Sequence, residues 1–272
     1  MTTTTQQMKL KYFQWDEKYR TEKPFQLYAD IPAGVPDSIR GNVKFTDGET
    51  ETIEDVRGQE EKYSLDNHGF AFCGFETDFC GWEEKTAVET EYYRQMEEIL
   101  TTKVPGADLV HIFEHRLRRS DPPRAPGLTV SLSDPSRYLS PAGTVHKKLL
   151  RSRVQVINVW RPLYDVIQNW PLAVCDGSTV ASSELVAVDQ VRRHSRGDGL
   201  VLRYKPGYKW YYLSRMRLDE ALLLKNFDSK PAGKAKFAPH TSFRPSNVPR
   251  NAPKRTSIEV RALVFSFDQD DK

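Results

Sequence analysis

The sequence predicts a mainly β protein with flanking helices, folded as a sandwich or a barrel. The second half of the chain carries runs of β-branched and aromatic residues, which alternate with polar residues where one face would contact water. Gly, Pro and Asp separate these runs, as they separate strands in sandwiches and barrels. The predicted strands are residues 153–160, 200–204, 209–213 and 257–265.

Outside these strands, the sequence predicts one long helix over residues 83–102, where helix formers dominate and breakers are few. One face of this helix should pack on the outside of the β structure, because its apolar residues recur at steps of four. These residues are Val88, Tyr92, Met96 and Leu100. Residues 217–226 predict a second, short helix, and residues 42–46 and 128–132 predict short strands.

Length and composition indicate a single globular domain over residues 1–272. Hydrophobic residues make up 38% of the chain and charged residues 28%, which is sufficient for one core. Within this domain we expect residues 8–119 to supply N-terminal strands and the flanking helix. Residues 120–267 are then expected to form the β core.

Charge and hydropathy restrict the classes of partner. Lys and Arg number 40 and Asp and Glu 37, and the net charge of +3 is dispersed, so nucleic acid is not expected as a partner. No signal-peptide pattern or bilayer-length apolar run is present, so we expect no membrane association and a cytoplasmic location. The expected partner is a small molecule, and a homodimer is compatible with the sequence.

Several segments of the C-terminal half form a specific set, although each alone would be a weak signal. They are residues 156–162 (VINVWRP), 169–176 (NWPLAVCD), 209–214 (KWYYLS), 227–229 (FDS), 238–243 (APHTSF) and 255–264 (RTSIEVRALV). In their order and spacing they resemble the fungal AsaB-type hydroxylase/desaturase family, also described as gibberellin-desaturase-like. The resemblance extends over roughly residues 60–267.

This resemblance implies the double-stranded β-helix, or jelly-roll barrel, of iron- and 2-oxoglutarate-dependent oxygenases. It also implies an early His-x-Asp pair and a late His as iron ligands, with an Arg on a following strand that binds 2-oxoglutarate. His240 matches the late ligand. Arg255 and Ser257 form an Arg-x-Ser on a predicted strand, so both side chains should point to one face.

The early iron-binding pair is missing from this chain. The matching segment places Ser136 where the family has its His and Tyr138 where it has its Asp. None of the six histidines is followed two positions later by Asp or Glu. Because metal affinity depends on the number and geometry of ligands, a site with one His should bind Fe(II) poorly. We therefore expect no resident metal and no cofactor.

The first hypothesis is a lyase- or isomerase-type enzyme that has lost iron. It would catalyse a cyclisation, isomerisation, dehydration or pericyclic step on a polyketide- or terpenoid-like intermediate, since such steps need a shaped cavity and a few polar groups. We expect His240 as acid or base, Tyr138 as acid or hydrogen-bond donor in the vacated iron position, and Arg161 as a further catalytic group. The expected substrate-binding residues are Arg255, Ser257, Asn158 and Trp210.

Two alternatives remain open at this point. The chain could be a working Fe(II)/2-oxoglutarate hydroxylase/desaturase whose missing carboxylate comes from elsewhere, for instance Asp134 or Glu259. It could also be a non-catalytic partner that stabilises an active homologue. His240 itself could be an inert, hydrogen-bonded interior residue, as many buried histidines are.

Overall fold

A computed structural model describes residues 5–28, 36–119, 129–130, 149, 151–193 and 195–267. The strands in these ranges are β1 (Thr5–Phe13), β2 (Phe25–Tyr28), β3 (Phe45–Asp55), β4 (Phe70–Gly74), β5 (Leu109–Arg119), β6 (Thr129–Val130), β7 (Arg153–Pro162), β8 (Leu172–Cys175), β9 (Leu185–Arg192), β10 (Ser195–Leu202), β11 (Trp210–Tyr212), β12 (Glu220–Asp228), β13 (His240–Ser242) and β14 (Thr256–Ser266).

These strands pair into two sheets. The larger sheet has the order β1-β3-β11-β8-β13-β6-β10-β9-β2, and the smaller sheet has the order β4-β12-β7-β14-β5. The sheets face each other, because Val174 and Tyr211 of the larger sheet share one buried cluster with Phe70, Trp160 and Leu222 of the smaller one. The space between the two sheets is the barrel interior. The predicted β-rich barrel with flanking helices is confirmed.

The predicted long helix is present on the outer face of the smaller sheet. It begins as α2 (Lys85–Ala87), passes through a π-helical turn (Val88–Tyr92) and continues as α3 (Tyr93–Lys103). Met96 and Leu100 are fully buried against strand residues that include Val159 and Val260. A four-residue helix, α1 (Leu65–His68), precedes β4.

The helix predicted over residues 217–226 is wrong. The segment forms β12, which lies between β4 and β7 in the smaller sheet. Its run of alanine and leucine favours a helix by propensity, but it is buried on both faces, as a central strand is. Leu223 packs beneath the long helix, whereas Leu222 and Leu224 pack in the barrel interior.

A buried ion cluster joins α1 to the smaller sheet. Lys225 of β12 donates from Nζ to Asp228 at 2.7 Å and to Asp66 of α1 at 3.1 Å, and the side chains of Lys225 and Asp228 are fully buried. Arg153 of β7 contacts the same two carboxylates, each at 2.7 Å. Because each charge has an opposite partner, the cluster can remain ionised in the protein interior.

We expect Lys225→Met to destabilise the fold by about 3 kcal/mol or more, since removing one member of a buried ion pair leaves the other charge poorly compensated. The matched control is Lys11→Met, which removes the half-exposed ion pair with Asp47 and should cost less than about 1 kcal/mol. Denaturant unfolding of both variants measures the difference. Equal losses would contradict the structural role of the cluster.

Candidate active site

Side-chain alternation along β7 and β14 gives the smaller sheet a polar inner face. In the β7–β14 register, Asn158 lies opposite Arg261, Trp160 opposite Glu259 and Pro162 opposite Ser257. Trp160 belongs to the cluster of the barrel interior, so its neighbours on this face point inward as well. The residues between them, such as Val159 and Val260, pack beneath the helix.

Strand β5 extends this inner face with three charged residues. Arg118 lies opposite Ser257, Arg116 opposite Glu259 and Glu114 opposite Arg261. The carboxylates are held in ion pairs: Glu114 with Arg116 at 2.7 Å and with Arg261 at 3.3 Å, and Glu259 with Arg261 at 2.9 Å. Burial alone would raise the pKa of Glu259, but Arg261, Arg118 and His240 hold it below its ordinary value.

His240 enters the same space from the larger sheet. It lies opposite Val174, which packs in the barrel interior. Protein surrounds the ring, yet part of its surface stays accessible, as expected for a side chain that lines a cavity. Burial lowers the pKa of His240, and Arg261 and Arg118 lower it further, against the opposing effects of Glu259 and the Ala238 carbonyl.

The hydrogen bond of His240 determines its tautomer. Nδ1 lies 3.0 Å from the carbonyl oxygen of Ala238. A carbonyl can only accept, so Nδ1 carries the proton. In the neutral ring that the lowered pKa favours, Nε2 therefore carries a lone pair, which can accept a proton or bind a metal.

Arg255 comes immediately before β14, and Ser257 lies on the inner face of that strand. Arg255 is buried, its guanidinium lies 5.7 Å from the Trp160 ring centroid, and Nη1 donates to the carbonyl of Trp170 at 2.5 Å. Burial, followed by the charge of Arg118, lowers the pKa of Arg255 to about 10. Ser257 is fully buried, and its Oγ has no hydrogen-bond partner among the described residues.

Asn158 is a buried polar side chain on the inner face of the smaller sheet. It is 1% exposed, and neither its Nδ2 nor its Oδ1 has a partner within the part of the chain that the structure describes. An unpaired buried polar group costs about 1–3 kcal/mol. This amide and the Ser257 hydroxyl can therefore form hydrogen bonds with a molecule bound in the interior.

Arg161, expected as a catalytic group, does not reach the interior, and this expectation is corrected. Because Asn158 and Trp160 point inward, Arg161 points to the helix side. Its guanidinium lies 5.1 Å from the ring centroid of Phe75 and 5.9 Å from that of Trp82, and Nη2 donates to the Leu218 carbonyl at 2.6 Å. Arg161 therefore stabilises helix packing.

Trp210, which we expected to bind substrate, also lies outside the barrel interior. It lies on the outer face of the larger sheet, where Nε1 donates to Glu51 at 3.2 Å within a cluster that contains Tyr12. The next residue, Tyr211, faces the interior instead. Tyr138, the remaining expected catalytic residue, and Asp134 lie outside the described residues.

The site residues expected from the sequence do not include Glu114, Arg116, Arg118 and Arg261. A run of charged residues on a strand is usually solvated, but Glu114, Arg116 and Arg118 recur at steps of two. That spacing places them on one face of a strand. It could have identified them once β5 was assigned to the smaller sheet.

One surface cavity lies apart from the polar residues of the barrel interior. It has a volume of about 240 Å³ and is lined by residues that include Asp55, Ile167, Pro171, Tyr212 and Arg215. Its lining contains none of the polar residues of the barrel interior. We therefore do not assign it to the chemistry.

The residues present do not fit the family's iron centre. A two-His, one-carboxylate site needs three ligands on one face of the metal. Glu259 is the carboxylate whose charge acts on His240, but its Oε1 is engaged by Arg261. No group of three His, Cys, Asp or Glu suited to a metal occurs among the described residues, and the sequence holds no His-x-Asp or His-x-Glu.

Comparison with known proteins identifies consistent relatives. Residues 10–265 match a family model described as "Oxidoreductase/YMDC permease-like domain". The hydroxylase/desaturase poxK of Penicillium oxalicum is 31% identical over 290 residues, covering 90% of this chain and 88% of the relative. The Fe(II)/2-oxoglutarate-dependent dioxygenase nvfI of Aspergillus novofumigatus is 32% identical over 270 residues, covering 88% and 95%.

Similarity in structure agrees with similarity in sequence. The solved structure of the iron and alpha-ketoglutarate-dependent endoperoxidase NvfI superimposes with a TM-score of 0.82 at 27% identity, covering 97% of this chain and 99% of that one.

Within the described residues, no helix is both long enough and apolar enough to span a membrane.

We expect His240 to be neutral with its proton on Nδ1 at about pH 6.5, where a free imidazole is half protonated. NMR of isotope-labelled histidine reports both protonation and tautomer. His68 is the internal control, because its Nδ1 accepts from the Ser64 amide at 3.2 Å, which requires the opposite tautomer when the ring is neutral. A His240 ring that titrated at its ordinary value or carried its proton on Nε2 would contradict the geometry.

Proposed function

This chain belongs to the fungal hydroxylase/desaturase family, and on that premise we propose that it is a natural-product biosynthetic enzyme that works without iron. The proposed reaction is redox-neutral, a cyclisation, isomerisation or dehydration of a small biosynthetic intermediate in the barrel interior. The relatives support an enzyme on an oxygenase fold. The proposal of a redox-neutral reaction without iron depends on the residues of the barrel interior.

The observation that carries the proposal is the position of His240. His240 lies opposite Val174, which packs in the barrel interior, and its ring carries the proton on Nδ1. The inner face of the smaller sheet holds Asn158 and Ser257, whose side-chain polar atoms have no partner among the described residues. A neutral imidazole with a lowered pKa is a base near neutral pH, and fixed polar groups can orient a substrate and polarise its carbonyl. These groups need no oxidant.

The proposed proton transfer begins and ends on the same substrate. His240 Nε2 accepts a proton from an acidic C–H or O–H group, and the Asn158 Nδ2 hydrogens donate to the oxygen on which negative charge develops. The imidazolium then returns the proton to another atom of the substrate, or to a hydroxyl that leaves as water. Arg261 and Arg118 favour rapid loss of that proton, because both lower the pKa of His240.

Tyr138 remains part of this proposal as a second acid or hydrogen-bond donor. From the family resemblance we expect Tyr138 at the position of the carboxylate ligand of iron. A phenol in that position can donate to a substrate oxygen, whereas a carboxylate would bind a metal.

A second candidate function is that of an Fe(II)/2-oxoglutarate oxygenase. Relatives with that printed activity favour it, as does the retention of Arg255 and Ser257 at the start of β14. In this reading Glu259 or Asp134 would replace the missing carboxylate. Glu259 would first have to leave Arg261, which makes it a poor ligand as placed.

The test uses intermediates that accumulate when the gene is deleted, incubated with purified enzyme under anaerobic conditions with excess chelator. We expect a product with the mass of the substrate, or that mass less water. His240→Ala should lower kcat by about 100-fold, the usual range for loss of a general base. His111→Ala changes an exposed histidine of β5 and is the matched control.

Two outcomes would overturn the proposal. Conversion only when iron, oxygen and 2-oxoglutarate are supplied, with release of succinate, would assign the second candidate function. No conversion under either condition would favour the non-catalytic partner.

A further inference from the structure

Two ionic side chains of opposite sign line the surface cavity of about 240 Å³ that lies apart from the barrel interior. Asp55 is the last residue of β3, and Arg215 lies in the turn between β11 and β12. Neither forms an ion pair with the other or with any further residue that the structure describes. Electrostatic complementarity therefore favours a ligand that carries one positive and one negative group.

The Asp55 carboxylate has one oxygen engaged by the protein and one that is available. The residue is 8% exposed, and Oδ1 accepts from the backbone amides of Arg57 at 3.1 Å and Ser214 at 3.0 Å. Oδ2 accepts from no donor in the described part of the chain. A buried charge is stable only when it is paired or hydrogen-bonded. An ammonium group in the cavity would supply the donors that Oδ2 lacks.

The turn that carries Arg215 is held in one backbone conformation. Arg57 Nη2 donates to the carbonyl of Ser214 at 2.6 Å and to that of Arg215 at 3.2 Å. Asp55 holds the same turn through the Ser214 amide. The φ angle of Arg215 is 48°, a left-handed conformation that is uncommon for a residue other than glycine. Backbone strain of this kind costs about 1–3 kcal/mol and clusters at ligand sites.

The rest of the cavity wall combines apolar surface with two side-chain amides. The amides belong to Gln168 and Asn247 and can hydrogen-bond to the polar end of a ligand. The apolar surface suits a hydrocarbon group. Its residues are Ile167, Pro171, Tyr212, Pro245 and Pro249.

A molecule in this cavity would not reach the barrel interior. Ile167 and Pro171 also line a void of about 10 Å³ whose far wall includes Trp160. A void of that size holds at most one water molecule, so it is too small for a ligand to pass. The cavity is therefore a site of its own, separated from the interior by one layer of side chains.

We infer that this cavity binds a small α-amino acid with an apolar side chain. The ammonium group donates to Asp55 Oδ2, and the carboxylate accepts from the Arg215 guanidinium, whose fork matches two carboxylate oxygens. The apolar side chain packs on the prolines and Ile167. This inference goes beyond the proposed function, because it concerns a second site and does not depend on the reaction in the barrel interior.

The test measures binding to the full-length protein by calorimetry at pH 7, with leucine as the probe. Two analogues each lack one charged group: 3-methylbutylamine has no carboxylate, and 4-methylpentanoate has no amine. We expect leucine to bind at least ten-fold more tightly than either analogue, since a hydrogen bond to a charged group contributes about 1.5–3 kcal/mol.

Two variants separate the contributions of the two charges. Asp55→Asn keeps Oδ1 as the acceptor for both backbone amides and replaces Oδ2 by a donor. It should weaken leucine binding by about ten-fold and leave the affinity for 4-methylpentanoate unchanged. Arg215→Gln should also weaken leucine binding by about ten-fold but leave 3-methylbutylamine unchanged. Because Arg215 is exposed, this variant tests the inference even if Asp55→Asn does not fold.

The matched controls are Glu54→Gln and Arg244→Gln, which remove the same charges from exposed residues that adjoin the lining in sequence but are not part of it. Both should bind leucine as the unmodified protein does. The inference is overturned if leucine does not bind, if it binds no more tightly than the two analogues, or if the control variants weaken it as much as Asp55→Asn and Arg215→Gln do.

Discussion

The alternation of side chains along β7 and β14 is the constraint on which the rest of the molecule depends. One set of alternate residues, including Val159 and Val260, is apolar and packs beneath the long helix. The other set carries Asn158, Ser257 and Glu259 into the barrel interior. A slip of one residue would place polar groups beneath the helix and apolar groups in the site, so the apolar packing fixes the position of the chemistry.

The same alternation explains how far the sequence predicts the fold and site. The strands of the second half and the long helix follow from the hydrophobic periodicity of the sequence. Hydrophobic periodicity cannot identify β12 as a strand, because a strand buried on both faces and a buried helix both appear in the sequence as a continuous apolar run. Arg161 could have been excluded, since it lies three residues from Asn158 on one strand. The charged residues of β5 required knowledge of which strand lies beside β14.

His240 and its surroundings are the part of the site in which this chain can be compared with its oxygenase relatives. A histidine that binds a metal must be neutral and usually donates its other N–H to a carbonyl or carboxylate. His240 has such an arrangement through Ala238. A general base needs the same neutral, oriented ring. Loss of the other iron ligands would therefore leave a preorganised base in the barrel interior, where the Asn158 amide can pair with a substrate.

The most direct test of this account is an anaerobic titration of the purified protein with Fe(II) in the presence of 2-oxoglutarate, performed in parallel on His240→Ala. The account predicts that neither protein binds a stoichiometric ion and that the two titrations are indistinguishable, because the sequence offers no His-x-Asp or His-x-Glu pair beside His240. Binding of one equivalent of Fe(II) that disappears in His240→Ala would contradict the account and assign the chain to the iron-dependent oxygenases.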